Sequence, residues 1–313
     1  MKPASLIYCK DYQPDKLRET IARHFELAGG LDKLISRSDR VILKPNLIAP
    51  HPPERPSQTH PAFIVETAKL LKDFGARVCV ADSPAWSNAE HCLEVLGAAG
   101  QLREIGVEIK TFGSSVKTRL PYAEIDVNIS KDALEADAII NLPKLKAHQQ
   151  LGATIAFKNM FGTVCGKRKA YWHFKRGKTC EDFAALILGI YEKTAPVFNL
   201  IDGIVCMEGR GPLNGNARNL GITLSGSSAL SCELACARLL DYRIEELPLV
   251  KYYLEQNPDF KGKQSYIIGD NPELVAGCGF QKAQTIPISF SFARIVRSVF
   301  KQLLVMIKIK AKR

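Results

Sequence analysis

The chain has 313 residues, 46% hydrophobic and 24% charged, the balance of an ordinary globular protein and not of a disordered one. That length suffices for one large domain or for two lobes with a cleft between them. The formal net charge of +11 is uneven, because residues 281–313 hold eight basic and no acidic residues, leaving about +3 on the rest. The body is therefore only mildly basic, and it contains no recognised nucleic-acid module, which argues against nucleic acid as a partner.

Nine cysteines, odd in number and scattered, point to reduced thiols and a cytoplasmic setting. None forms C-x-x-C, so local spacing provides neither an iron–sulfur cluster nor a zinc ribbon. The N-terminus, MKPASLIYCKDYQPDK, lacks the apolar core of a signal peptide. No run reaches the roughly 18 apolar residues of a spanning helix, so any membrane contact is expected to be peripheral, at the inner surface.

In chain order, residues 5–9 form a first short strand. A helix follows over 14–27, with Leu17, Ile21 and Phe25 on one face and Gly29-Gly30 as its stop. Residues 40–44 form a strand broken by Pro45, and the loop IAPHPPERPSQTHP after it is too rich in proline for regular structure. A loop that long directly after a strand usually carries function. A helix over 61–74 starts with proline and stops at Gly75, and a strand over 77–82 ends in Asp-Ser-Pro. A capped helix over 87–96 and strands over 107–111, 124–128 and 137–141 come next. A helix over 181–194, strands over 198–204 and 220–225, and an apolar helix over 228–240 complete the pattern.

Helices alternating with β-branched strands define an α/β protein with a mainly parallel sheet and flanking helices. Ligands of such sheets sit beyond the carboxyl ends of the strands. That rule puts Lys44-Pro45-Asn46, Asp82-Ser83-Pro84 and Asn141-Leu142-Pro143-Lys144 along one rim. The domain is expected to span residues 1–280. From 281 to 313 runs a basic tail, in which residues 292–313 have the spacing of an amphipathic helix. Such a helix either packs on its own domain or lies on an anionic membrane surface.

The most unusual stretch is 138–180, with nine Lys or Arg and no Asp or Glu. It contains Lys144, Lys146, His148, Lys158, Asn159, Lys167, Lys169 and His173, and it suits an anionic ligand. Lysines 144, 146 and 158 can clamp a phosphate or carboxylate. The run Lys167-Arg168-Lys169 is either a phosphate cradle or a solvated loop. Asp82 is a catalytic helper or a turn cap. Glu208, Gly209 and Gly211 belong to MEGRGPLNG, a loop whose backbone amides can approach a ligand, although it is neither a P-loop nor G-x-G-x-x-G. Lys44 and Asn46 suit a substrate carboxylate or hydroxyl. His60 and His148 are both rim histidines whose ordinary pKa lets imidazole give or take a proton at neutral pH; taken singly, each also reads as a hydrogen-bonded loop residue.

Several motifs resemble one family: KPNL at 44–47, THP at 59–61, ADSP at 81–84, INLPKLKAH at 140–148, KNMFG at 158–162, GKRKAYWH at 166–173 and IDGIVCMEGRGPLNG at 201–215. In this order they resemble the "domain of unknown function 362" family, over roughly 43–240. Many members carry a ferredoxin-like domain with cysteine-rich cluster motifs; this chain lacks those cysteines, and the resemblance leaves open a separate ferredoxin-like partner. Ser228 and Glu233 stand where the family usually shows two aspartates.

The order His60, His148, Lys158, His173 is also similar to the nickel-dependent lactate racemase family. That resemblance implies His60 and His148 as the acid and base, Lys158 holding a nickel-containing nucleotide cofactor, and His173 as metal ligand. Nickel accepts imidazole, as do zinc and copper. The leading expectation is an enzyme binding an anionic small molecule or nucleotide-like cofactor, with histidine acid–base chemistry of the racemase or isomerase kind. The alternatives are a redox accessory protein and a membrane-surface or nucleic-acid binder.

Overall fold

The computed structural model describes residues 1–286 other than Trp86, Lys167 and Gln264. Its strands are β1 (Ala4–Tyr8), β2 (Arg40–Pro45), β3 (Arg77–Asp82), β4 (Glu108–Thr111), β5 (Ser115–Arg119), β6 (Asp126–Ser130), β7 (Ala138–Leu142), β8 (Lys144–His148), β9 (Gly152–Thr154), β10 (Phe198–Glu208), β11 (Asn216–Gly226) and β12 (Ile267–Gly269). Its α-helices are α1 (Pro14–Leu27), α2 (Pro61–Phe74), α3 (Ala89–Leu96), α4 (Ala99–Glu104), α5 (Lys131–Glu135), α6 (Ala156–Asn159), α7 (Arg168–Arg176), α8 (Cys180–Thr194), α9 (Ala229–Leu239) and α10 (Pro248–Gln256).

The main sheet runs β12-β1-β11-β10-β7-β2-β3-β4, with the β8–β9 hairpin joined through β10. Its centre is parallel: β2 pairs with β3 and β7, β3 with β4, and β10 with both β7 and β8. Strands buried on both faces need continuous apolar runs, and Val41-Ile42-Leu43 and Ala138-Ile139-Ile140 supply them. The antiparallel strands β11 and β1 finish one side. This is the mainly parallel α/β architecture expected from the helix–strand alternation.

Each face of the sheet has its own core. On one side Leu17, Ile21 and Phe25 of α1 pack with Phe63, Ile64, Ala68 and Leu71 of α2 and with α3 and α4. Burying each such large side chain contributes roughly 1.5–3 kcal/mol. On the other side α6, α8, α9 and α10 cover the sheet, with Phe157, Phe183, Ile187 and Leu230 in the core. Both cores lean on the same main sheet.

Three local expectations change. The strand expected at 124–128 is β6, and it pairs with β5 in a separate two-stranded antiparallel sheet. β5 has only Val116 as an apolar residue, and that is exposed, so no hydrophobic pattern announced it. The hairpin β8–β9 and the helix α7 both arise inside the basic stretch.

The helix expected over 292–313 lies outside the described residues. Residues 281–286, assigned to the tail, are docked on the body. The Gln281 amide donates to Glu208 Oε2 at 3.0 Å, the Gly209 amide to Gln281 O at 2.7 Å, and the Ile286 amide to Gln149 O at 2.8 Å.

Candidate functional site

The three strand ends named from the sequence do lie side by side. Lys44 is in register with Asn141, and Pro45 with Leu142. Lys44, 1% exposed, sends Nζ to Asp82 Oδ1 at 2.7 Å and to Pro45 O at 2.9 Å. Asp82 Oδ2 accepts the Leu47 amide at 2.9 Å. Burial drives the Lys44 pKa down and the Asp82 charge opposes this. Gly162 makes room for the pair, because a Cβ there would stand 2.3 Å from Asp82 Oδ1 and 2.6 Å from Lys44 Nζ. A second buried pair, Lys144 Nζ to Asp202 Oδ2 at 2.8 Å, also binds the Tyr12 hydroxyl at 2.8 Å.

Beyond the rim lies a basin of about 410 Å³. β8 alternates Lys144, Lys146 and His148 on one side with Leu145 and Ala147 on the other, and its cross-strand partner β9 ends in Thr154. Lys146 and His148 from β8, Thr154 from β9, Lys158 and Asn159 from α6, and Lys169 and His173 from α7 all line the basin. Among its described lining residues Asp82 is the one carboxylate, and Lys44 already engages it. Lys146 rests on Asn46 Oδ1 at 2.5 Å and Ser57 O at 2.6 Å, and Lys158 lies over the Phe161 ring at 4.6 Å. The hydroxyl oxygen of Thr154, in a residue 3% exposed, has no hydrogen-bond partner.

Like charges gathered in a dry recess suppress one another's ionisation. Lys158 is brought down to about 7, by burial first and then by Lys169 and Lys44, and Lys169 to about 8, by burial that the Asp82 charge partly offsets. Lys146 falls well below its ordinary value for the same reasons. His148 and His173 are also driven well below the usual imidazole range, chiefly by burial and then by Lys158. His148 Nδ1 accepts the Gln150 amide at 3.1 Å, so in the neutral ring the proton sits on Nε2. An arriving anion would reverse these shifts.

A line of amides, buried except for the half-buried Asn46, backs the basin. Asn46 Nδ2 donates to Asn159 Oδ1 at 2.8 Å, Asn159 Nδ2 to Asn141 Oδ1 at 2.7 Å, and Asn141 Nδ2 to Asn199 Oδ1 at 2.9 Å. Asn199 then donates to Gly226 O at 3.1 Å, and Asn159 also reaches Lys44 O at 3.1 Å. Helix α6, which presents Lys158 and Asn159, is capped from α9, where the buried Glu233 Oε1 accepts the Phe157 amide at 3.0 Å. Burial raises Glu233 to about 8.

The structure gathers Lys44, Asn46, Asp82, Lys146, His148, Lys158, Asn159, Lys169 and His173 around the basin, and separates others from it. His60 and Lys144 line an adjoining cavity of about 300 Å³ with Tyr12 and Gln58. His60 stacks on Tyr12 with ring centres 3.5 Å apart, and its Nδ1 accepts the Ala62 amide at the start of α2. Burial lowers it to about 4. The expected pairing of His60 with His148 therefore does not occur in one cavity. Glu208 and Gly209 bind Gln281, so this end of the glycine-rich loop is occupied by the chain itself. Gly211 packs on β8, where a Cβ would meet Ala147 O at 1.8 Å, and it is Pro212 and Leu213 that reach the basin. Lys167 lies outside the described residues.

Sequence reasoning missed Thr154, whose signal was a β-branched residue closing a short strand. It also missed Glu233 as the cap of α6. No local pattern links positions 157 and 233.

Fold and basin together define a mainly parallel α/β protein with a lysine-lined recess at the carboxyl ends of its strands. Residues 41–238 match the family described as "Domain of unknown function (DUF362)", and the chain belongs to that family. It is 30% identical over 303 residues to the thylakoid-associated protein sll1697 of Synechocystis sp., covering 96% of this chain and 94% of that protein. Among solved structures, the lactate racemase apoprotein from Thermoanaerobacterium thermosaccharolyticum matches with a TM-score of 0.49 and 14% identity over 76% of this chain. A protein from Thermotoga maritima matches with a TM-score of 0.39 and 11% identity over 64% of this chain. The chain covers 57% and 52% of the lengths of these two structures.

Proposed function

We propose that the chain is an enzyme that binds a small anion, carrying phosphate or carboxylate, in the basin and moves a proton on it. The observation that carries this reading is the trio Lys146, Lys158 and Lys169 around one recess whose only described lining carboxylate is held by Lys44. An uncompensated cluster of buried amines is costly without a ligand, and it becomes favourable when an anion supplies the missing charge. Lys158, at about 7 in the free basin and charged once an anion binds, is the group that gives a proton to the bound molecule near neutral pH and takes it back. Neutral His148, with its Nε2 proton, serves as donor to the developing negative charge. Racemisation or isomerisation of a hydroxy acid is the most concrete form of the reaction.

Among the described residues no group of three or more His, Cys, Asp or Glu is placed to hold a metal ion by itself. A metal carried within a nucleotide cofactor asks less of the protein. The basin provides one imidazole in His173, the amine of Lys158, and Lys146 and Lys169 for a phosphate, so these residues fit such a group. It would add a Lewis-acid centre beside the bound anion.

No helix among the described residues is long and apolar enough to cross a membrane. With a relative named as thylakoid-associated, we favour a peripheral membrane location for this chain.

The test combines native mass spectrometry of the purified protein with proton NMR of lactate in heavy water. Exchange at the carbon bearing the hydroxyl, lost in Lys158→Met and His148→Asn, supports the reading. Absence of any bound anion, together with no affinity for inorganic phosphate or lactate, overturns it.

A further inference from the structure

Helix α7 forms one wall of the basin, and its two faces differ. Lys169, Trp172, His173 and Arg176 recur at i, i+3, i+4 and i+7 and turn inward. Lys169 and His173 line the basin, Trp172 is buried, and Arg176 meets Asp182 at 3.3 Å. The opposite set is Arg168, Tyr171, Phe174 and Lys175, followed by Lys178, and all are exposed. Arg168 Nη1 donates to Ser115 Oγ at 3.1 Å. Tyr171 is 52% and Phe174 45% exposed, and the Lys175 ammonium lies 5.5 Å from the centre of the Tyr171 ring. Ala170 is both exposed and part of the basin lining, so the helix borders the opening.

A single exposed aromatic ring needs no explanation. Two on one face of a short helix, bracketed by cations, form a surface that is apolar and positive together. The carboxylates near it, Glu181 and Asp182, stand at the start of α8. A second copy of the chain would bring the same positive charge. So would residues 287–313, which hold seven Lys or Arg and no Asp or Glu. An acidic protein would answer the cations, and would answer the two neighbouring rings only where it sets an apolar patch among its carboxylates. An anionic bilayer answers both, since aromatic rings settle at the headgroup level and Lys and Arg sit among lipid phosphates.

We propose that the outer face of α7 docks on an anionic lipid surface and holds the opening of the basin against the bilayer. The proposal is independent of what the basin binds. The full chain is sedimented with phosphatidylglycerol-containing vesicles and with phosphatidylcholine vesicles, at low and high salt. Binding to the anionic vesicles alone, abolished by salt and weakened at least about tenfold by Tyr171→Ser/Phe174→Ser, is the expected result. A Phe174→Trp variant should show blue-shifted emission with the same vesicles. Circular dichroism and thermal melts establish that these surface variants fold. No binding by the wild type overturns the proposal. So does unchanged binding by the double variant, which would assign the contact to residues 287–313. Variant-sensitive binding to an acidic protein in place of vesicles also overturns it.

Discussion

Lys146 Nζ lies 2.5 Å from Asn46 Oδ1, and that bond sets the direction of the amide line behind the basin. With its oxygen turned to the lysine, Asn46 must offer its NH₂ to Asn159, which does the same to Asn141, and Asn141 to Asn199. Each flip state is fixed by the next residue, so the position of the amine depends on side chains deep in the sheet.

Replacing Asn159 by Leu breaks this line at its middle. It leaves Asn46 Nδ2 and Asn141 Oδ1 without partners, at about 1–3 kcal/mol each. Urea denaturation should report the loss of stability, and titration with inorganic phosphate should report weaker binding through a misplaced Lys146.

Asp82→Asn leaves Lys44 buried without its counter-charge, and should destabilise the protein by about 3–5 kcal/mol. The double variant Lys44→Met/Asp82→Leu should recover much of that loss in the same urea measurement, because no uncompensated charge remains. If the double variant is the worse of the two, the pair is a net stabiliser of the fold.

The pH dependence follows from Lys158, lowered to about 7 from an ordinary 10.5. Below pH 7 both folded and unfolded chains carry the proton, and the penalty of a buried charge is fully present. Between pH 7 and 10.5 the unfolded chain binds more protons, so the contribution of Lys158 raises stability as pH rises. Glu233, raised to about 8, acts in the opposite sense between pH 4.5 and 8. Thermal melts of wild type and Lys158→Met in phosphate-free buffer isolate the lysine, and the gap between them should change between pH 7 and 10. Phosphate binding at pH 7.5 should take up protons, which calorimetry in buffers of different ionisation enthalpy measures directly.

Glu233→Ala removes the acceptor at the start of α6, and should cost about 0.5–2 kcal/mol. It should also weaken phosphate binding through Lys158 and Asn159. Glu233→Gln keeps an acceptor oxygen and should retain most of the affinity. Equal loss in both variants would show that the carboxylate charge, and not the cap, matters.

Much of the rim was legible because parallel strands buried on both faces leave continuous β-branched runs that end in polar turns. Lys44, Asp82 and Asn141 could be placed from that pattern alone. The β8–β9 hairpin was hidden by its own chemistry. Lys144-Leu145-Lys146-Ala147-His148 alternates with period two, but its polar face is buried against a recess instead of facing water, so it read as a charged tract. His60 lines the other cavity with Lys144, because the order of strand ends along a rim does not tell which side of the long proline-rich loop a side chain takes. Glu208 and Gly209 looked open to a ligand, and what fills them comes from residue 281, beyond any local pattern.

That last contact bears on where the folded body can be cut. The six residues from Gln281 to Ile286 fasten the β10–β11 turn through Glu208 and Gly209, and the β8–β9 turn through Gln149. Those turns carry Pro212, Leu213 and Gln150 to the basin. Removal of the basic tail is therefore best made after Ile286. A chain shortened to residue 280 would lose the stitch between two loops of its own site, and any loss of binding would be misread as the work of the tail.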